Sequence, residues 1–173
     1  MGRYTAVQSG SEKPKDDVRR VNELLSAECS QVQEEYKHLR GVVEQLSREY
    51  EDSKEVDFFR RYGMLKGMIK RSVLHLKLTS NEEHNPHVPT CGKQKEENRK
   101  REEHIVGLSK DEITQENDEI QEQIKEYRRK ISMMKDLIEQ MDHSYEVSKR
   151  YIAVQRYRLM KVMIKTVVHN KWI

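Results

Sequence analysis

Arg61-Tyr62-Gly63-Met64-Leu65-Lys66-Gly67-Met68-Ile69-Lys70 and, 95 residues further on, Arg156-Tyr157-Arg158-Leu159-Met160-Lys161-Val162-Met163-Ile164-Lys165 are the stretches that decide how this chain reads. Each opens on Arg-Tyr, places Lys at its sixth and tenth positions and sets Met-Ile before the last Lys. Sliding the chain by the same 95 residues also lays Lys15-Asp16-Asp17-Val18 on Lys110-Asp111-Glu112-Ile113. It lays Glu44-Gln45 on Glu139-Gln140, and Tyr50-Glu51-Asp52-Ser53-Lys54 on Tyr145-Glu146-Val147-Ser148-Lys149. The match runs without a gap from Lys15 to about Val73, which reads as a tandem duplication.

Each copy carries apolar residues at alternating spacings of three and four, the pattern of a long helix with a coiled-coil seam. In the second copy Ile113, Ile120, Tyr127, Met134 and Met141 take one seam position, and Asn117, Ile124, Ile131, Ile138, Tyr145, Ile152 and Leu159 the other. The first copy gives Val18, Leu25, Val32, Leu39 and Leu46 against Asn22, Cys29, Tyr36, Val43 and Tyr50. The period of two that a strand needs is missing from these stretches. Asn22 and Asn117 hold equivalent seam sites, either as buried amides that penalise wrong registers or as solvated groups near a helix end. Ser53 and Ser148 coincide, and Asp57, Arg60 and Gln155 interrupt the apolar line before the Met-rich blocks.

Helix boundaries follow from local chemistry. Ser109 with Glu112 forms a capping box, and Leu108 with Ile113 a hydrophobic staple. A helix from there nearly to Asn170 would be about 90 Å long. In the first copy Pro14 suits an opening turn, while Gly41, Gly63 and Gly67 each weaken the helix by about 1 kcal/mol relative to Ala. The predicted fold is all-α: an elongated coiled coil of two long helices from a tandem duplication, joined by a flexible linker. Its parts are a disordered tail (1–13), a first helix (14–79), a flexible charged linker (80–108) and a second helix with a basic end (109–173). A linker of about 30 residues barely returns along such a rod even when stretched. The expected pairing is therefore antiparallel within the chain, or of each rod with another subunit.

Composition agrees with long helices rather than a thick globular core. Charged residues make up 36% of the 173 and hydrophobic ones 35%, with two Phe and one Trp, where a globular domain is about half apolar. A many-stranded sandwich or barrel is excluded on these grounds, and a doubly wound α/β enzyme is disfavoured. Two Cys make no disulfide framework, no apolar run approaches a membrane span, and a soluble nuclear or cytoplasmic protein is expected. The net charge of +3 conceals segregation. From Val147 to Ile173 the chain has no carboxylate but carries Lys149, Arg150, Arg156, Arg158, Lys161, Lys165 and Lys171. Between Phe58 and Leu78 it carries Arg60, Arg61, Lys66, Lys70, Arg71 and Lys77. Such ends suit an acidic protein surface, tubulin or a phosphate backbone, or they form the solvated face of a bundle whose Met, Ile and Val pack inside.

The candidate partner-binding residues are Arg61, Tyr62, Lys66, Met68, Ile69 and Lys70, with Arg156, Tyr157, Lys161, Met163, Ile164 and Lys165 as counterparts. His84, His87 and Cys91 lack a fourth zinc ligand nearby and read as linker residues. Cys29 sits on the seam as a small buried side chain. No phosphate-cradling loop and no nucleophile elbow is legible, so no cofactor and no enzymatic activity are expected.

The block from Arg156 to Val168, echoed from Arg61 to Ile69, resembles the carboxy-terminal segment of the centromere protein H family, in which a long coiled-coil helix runs into a basic stretch rich in Met, Ile and Val. The resemblance implies a structural subunit of the inner kinetochore that pairs with a centromere protein K-like helical subunit. The function expected is assembly, without catalysis. The alternatives are a basic helical module that binds microtubules or nucleic acid directly, and a ciliary or centrosomal scaffold.

Overall fold

The structure is a computed structural model, and it describes residues 15–82 and 107–170. Four α-helices account for nearly all of them: α1 (Lys15–Asp52), α2 (Phe58–Glu82), α3 (Lys110–Ser148) and α4 (Ala153–His169), with a 3-10 turn at Ser53–Glu55. The 95-residue offset reappears in the elements, since Lys15 and Lys110 open the long helices while Phe58 and Ala153 open the short ones. Of the described residues, one compact unit comprises 15–29 with 107–122, and a second comprises 30–82 with 123–170.

In the first unit Val18 of α1 packs on Ile113 of α3, with Leu108 beside them. The predicted capping box is present: Ser109 N–H donates to the Glu112 carboxylate at 2.7 Å, and Glu112 N–H donates to Ser109 Oγ at 3.3 Å. Both seam amides are buried, with Asn22 at 0% and Asn117 at 6% exposure. Asn117 Nδ2 donates to the Val18 carbonyl at 3.3 Å, so this amide crosses between the helices.

The second unit overturns the elongated two-helix expectation. Neither copy is a single rod; each is a helical hairpin, and the two hairpins pack as a four-helix bundle. The first copy breaks after Asp52, where Ser53 Oγ donates to the Tyr50 carbonyl at 2.6 Å and Val56 turns extended. Asp57 then restarts the helix, its carboxylate accepting from the N–H groups of Phe59 and Arg60 at 3.0 and 3.1 Å. The second copy repeats the device with Ser148 Oγ on the Tyr145 carbonyl at 2.6 Å and Ile152 extended. A hydroxyl bonded to a carbonyl of the last turn satisfies a helix-end acceptor. Folding back also buries Leu65, Met68 and Ile69 in one copy and Met160, Ile164 and Val167 in the other. A straight rod would leave those side chains in water.

The antiparallel expectation is corrected as well. Tyr36 lies on Tyr127 with ring centroids 5.3 Å apart, and Lys135 pairs with Glu35 at 2.8 Å. Just past the two breaks, Phe58 lies on Tyr157 at 4.8 Å. Both breaks are therefore at the same end of the unit, and the long helices run parallel. The long return that disfavours parallel pairing belongs to unbroken rods, and neither copy is one. Helix α2 runs back along α1, with Arg71 on Glu49 and His75 beside His38, and its 25 residues recover about 37 Å of the return. The predicted tail 1–13 and most of the linker 80–108 lie outside the described residues.

Candidate functional site

The breaks gather an unusual set of side chains at one end of the second unit. Tyr50 and Tyr145 close the long helices as buried rings. Over each lies a guanidinium from the returning helix: Arg61 at 5.7 Å from the Tyr50 centroid and Arg156 at 4.9 Å from that of Tyr145. A lysine approaches the same rings, Lys54 at 5.7 Å and Lys149 at 5.6 Å. These lysines are also ion-paired to Glu51 and Glu146, one turn back. The hydrogen bond from Lys54 holds the Glu51 carboxyl below its usual range, with Lys165 and His169 of α4 adding to the effect. Arg156 Nε further donates to Ser148 Oγ at 3.3 Å, tying the break to the helix that follows. One turn on, Lys66 covers Tyr62 at 5.7 Å and Lys161 covers Tyr157 at 5.4 Å. A cation over a ring face gains about 0.5–1 kcal/mol where exposed and more where desolvated.

One aromatic cluster bridges the copies. Phe58 touches Tyr157, Tyr62 and Phe59, with centroids at 4.8, 6.5 and 5.5 Å. Phe59 itself is 84% exposed. Tyr151, Ile152 and Val154 add exposed apolar surface beside the second break. Arg60, Arg150 and Arg158 are exposed around them. The end of the unit is thus an apolar, ring-rich surface set among cations and, beside the first break, the exposed carboxylates of Asp52, Glu55 and Asp57, the last of them paired with Arg60 at 3.9 Å.

The residues singled out from sequence divide between this surface and the interior. Arg61, Tyr62, Lys66, Arg156, Tyr157 and Lys161 are brought together at the break end, half-buried and ring-paired. Met68, Ile69 and Ile164 are buried and spend their apolar atoms on the unit's own core. Met163 is half-buried in a groove between α3 and α4, and Lys70 and Lys165 are exposed further along the returning helices. Sequence reasoning passed over Tyr50, Tyr145, Phe58 and Phe59. The signal for the tyrosines was the repeated Tyr-Glu-x-Ser-Lys, read as rod where it marks a break. Phe58 and Phe59 had no such signal, because Ala153 and Val154 stand at their counterparts.

His84, His87 and Cys91 lie outside the described residues. Among the described residues no group of three or more His, Cys, Asp or Glu side chains is placed to hold a metal ion. None of the described helices is long and apolar enough to cross a membrane. Cys29, expected as a small buried side chain, is half-buried. Comparison with known proteins finds no family model that matches the chain, and no curated protein or solved structure that is detectably similar to it.

Proposed function

We propose that this chain is a non-catalytic assembly protein that docks through the break end of its helical bundle onto an acidic protein surface. The observation that carries the reading is Phe59, almost wholly exposed among Arg60, Arg61 and the Phe58–Tyr157 cluster. A merely solvated helix end has no use for a phenyl ring in water, whereas an interface centre is enriched in aromatic side chains and arginine. Cations around it steer an acidic partner, and the rings supply burial of about 25 cal/mol per Å² removed from water. The groups gathered here, guanidinium, ammonium and aromatic with the ion-paired carboxylates of Glu51 and Glu146, suit binding and orienting a partner. The resemblance of Arg156–Val168 to the centromere protein H family adds a setting to this reading: an inner-kinetochore subunit in the nucleus, with a helical, centromere protein K-like partner.

The test is co-purification of tagged full-length chain from cells, comparing wild type with Phe59→Ser and Arg60→Glu and identifying the associates quantitatively. The reading predicts loss of one acidic-surfaced partner with helicity unchanged by circular dichroism, and an unaltered set of associates contradicts it. Titration of the purified chain with duplex DNA and with tubulin separates the alternative. Direct binding whose affinity falls steeply with salt, and which Phe59→Ser weakens, assigns the same surface to a polymer.

A further inference from the structure

The two hairpins share their architecture but differ in one groove. In the first copy the groove between α1 and α2, walled by Val42, Leu46 and Met68, is reduced to about 10 Å³. Arg71 reaches across it to the Glu49 carboxylate. Gly67 allows this, since a Cβ there would meet Arg71 Nη1 at 3.1 Å. In the second copy Ser144 replaces Glu49, Thr166 replaces Arg71 and Val162 replaces Gly67. The closing pair is gone, and the groove between α3 and α4 opens to about 270 Å³. Its walls are Leu137, Met141, Leu159, Val162, Met163 and Val167. Val162 is 61% exposed on its lip, a β-branched side chain left in water at the mouth of an apolar trough.

We propose that this groove receives an amphipathic helix of another protein, which seats a bulky aliphatic side chain between α3 and α4 and sets carboxylates along the α4 edge. The volume is many times the roughly 10–15 Å³ that a single water needs and admits large aliphatic side chains. The charge pattern selects the occupant. Arg158 and Lys165, four residues before and three after Val162, share its exposed face, and α4 has no carboxylate of its own. A second copy docking α4 against α4 would set Arg158, Lys161 and Lys165 against their own kind. A helix with an acidic edge meets them with opposite charge, the arrangement of helix-in-groove recognition. This site adjoins the break end and shares Arg158 with it, but it does not involve Phe59 and does not depend on docking there.

The experiment uses the full chain as bait for a displayed library of amphipathic helical peptides. Leucine is fixed at two positions one turn apart, and the flanking positions are randomised between Glu and Lys. Enrichment of Glu-flanked helices is expected. Their affinity, read by fluorescence anisotropy, should fall at least about tenfold with Val162→Glu. It should fall similarly when Ser144→Glu, Thr166→Arg and Val162→Gly together rebuild the first copy's closing pair. Phe59→Ser should leave it unchanged, which separates failure here from failure of the break-end reading. Should the triple variant not fold, Val162→Glu, at an exposed position, decides alone. No enrichment, enrichment of Lys-flanked helices, or binding indifferent to Val162→Glu overturns the proposal. So does self-association in light scattering that Val162→Glu abolishes, because it assigns the groove to a second copy.

Discussion

At the scale of single residues, the duplication supplies internal controls. Ile69 and Ile164 are equivalent and both fully buried. Each truncation to Ala should cost about 2–5 kcal/mol in urea denaturation, whereas Lys165→Ala, on the surface, should stay within about 0.5 kcal/mol. A cost at either isoleucine as small as that of Lys165→Ala would show that its side chain does not belong to the core. Titration offers a second check. Glu112 is held below the ordinary carboxylate range by the Ser109 N–H first and the Ser109 hydroxyl next. Glu126 is pulled down to about 2, chiefly by its hydrogen bond from Arg129. A depressed carboxyl contributes stability that is present above its unfolded pKa and is lost as pH falls through its folded one. Ser109→Ala should therefore raise the Glu112 midpoint in a carboxyl NMR titration and leave that of Glu126 in place. An unmoved Glu112 would dissolve the capping box.

The elements differ in how their starts are secured. Asp57 caps α2 through its carboxylate, whereas Ile152 at the same place before α4 makes no side-chain capping bond and is 68% exposed. Replacing a good N-cap with Ala costs about 0.5–2 kcal/mol. Asp57→Ala should thus destabilise by about 1 kcal/mol, and Ile152→Asp should stabilise by a similar amount, both read from thermal melts. If Ile152→Asp fails to raise Tm while folding intact, the second break does not have the geometry of the first. The element scale also shows what sequence could deliver. Helical content, the 95-residue repeat and the Ser109 cap were legible because they depend on neighbours within a turn or two. The breaks were not, because a seam that falters at Ser53, Asp57 and Arg60 reads equally well as a weakened stretch of one continuous helix. What decides against continuation is burial of Leu65, Met68 and Ile69 on the preceding helix, a tertiary gain that periodicity does not register. The cations of the break end were legible as charge, but Phe58 and Phe59 were hidden by their absence from the second copy.

For the whole molecule, the repeat explains why parallel pairing of α1 and α3 is satisfied within one chain. Corresponding stretches run side by side, and Asn22 and Asn117, at matching places in the repeat, are both buried. Asn22 Nδ2 and Asn117 Oδ1 have no hydrogen-bond partner among the described residues, and a buried polar group left so costs about 1–3 kcal/mol. The double variant Asn22→Leu/Asn117→Leu should therefore raise Tm and broaden the oligomer distribution seen by light scattering, because the amides trade stability for register. A lower Tm would remove them from that role. The account as a whole rests on both breaks meeting at one end of the second unit. Spin labels at Arg60→Cys and Gln155→Cys, in a chain with Cys29→Ser and Cys91→Ser, measure this by electron–electron resonance. Helices are about 10–12 Å across, so the predicted separation is a single short distance below about 25 Å at a concentration where the chain is monomeric. Antiparallel unbroken rods would instead place the labels about 40 Å apart, and that result would contradict the account.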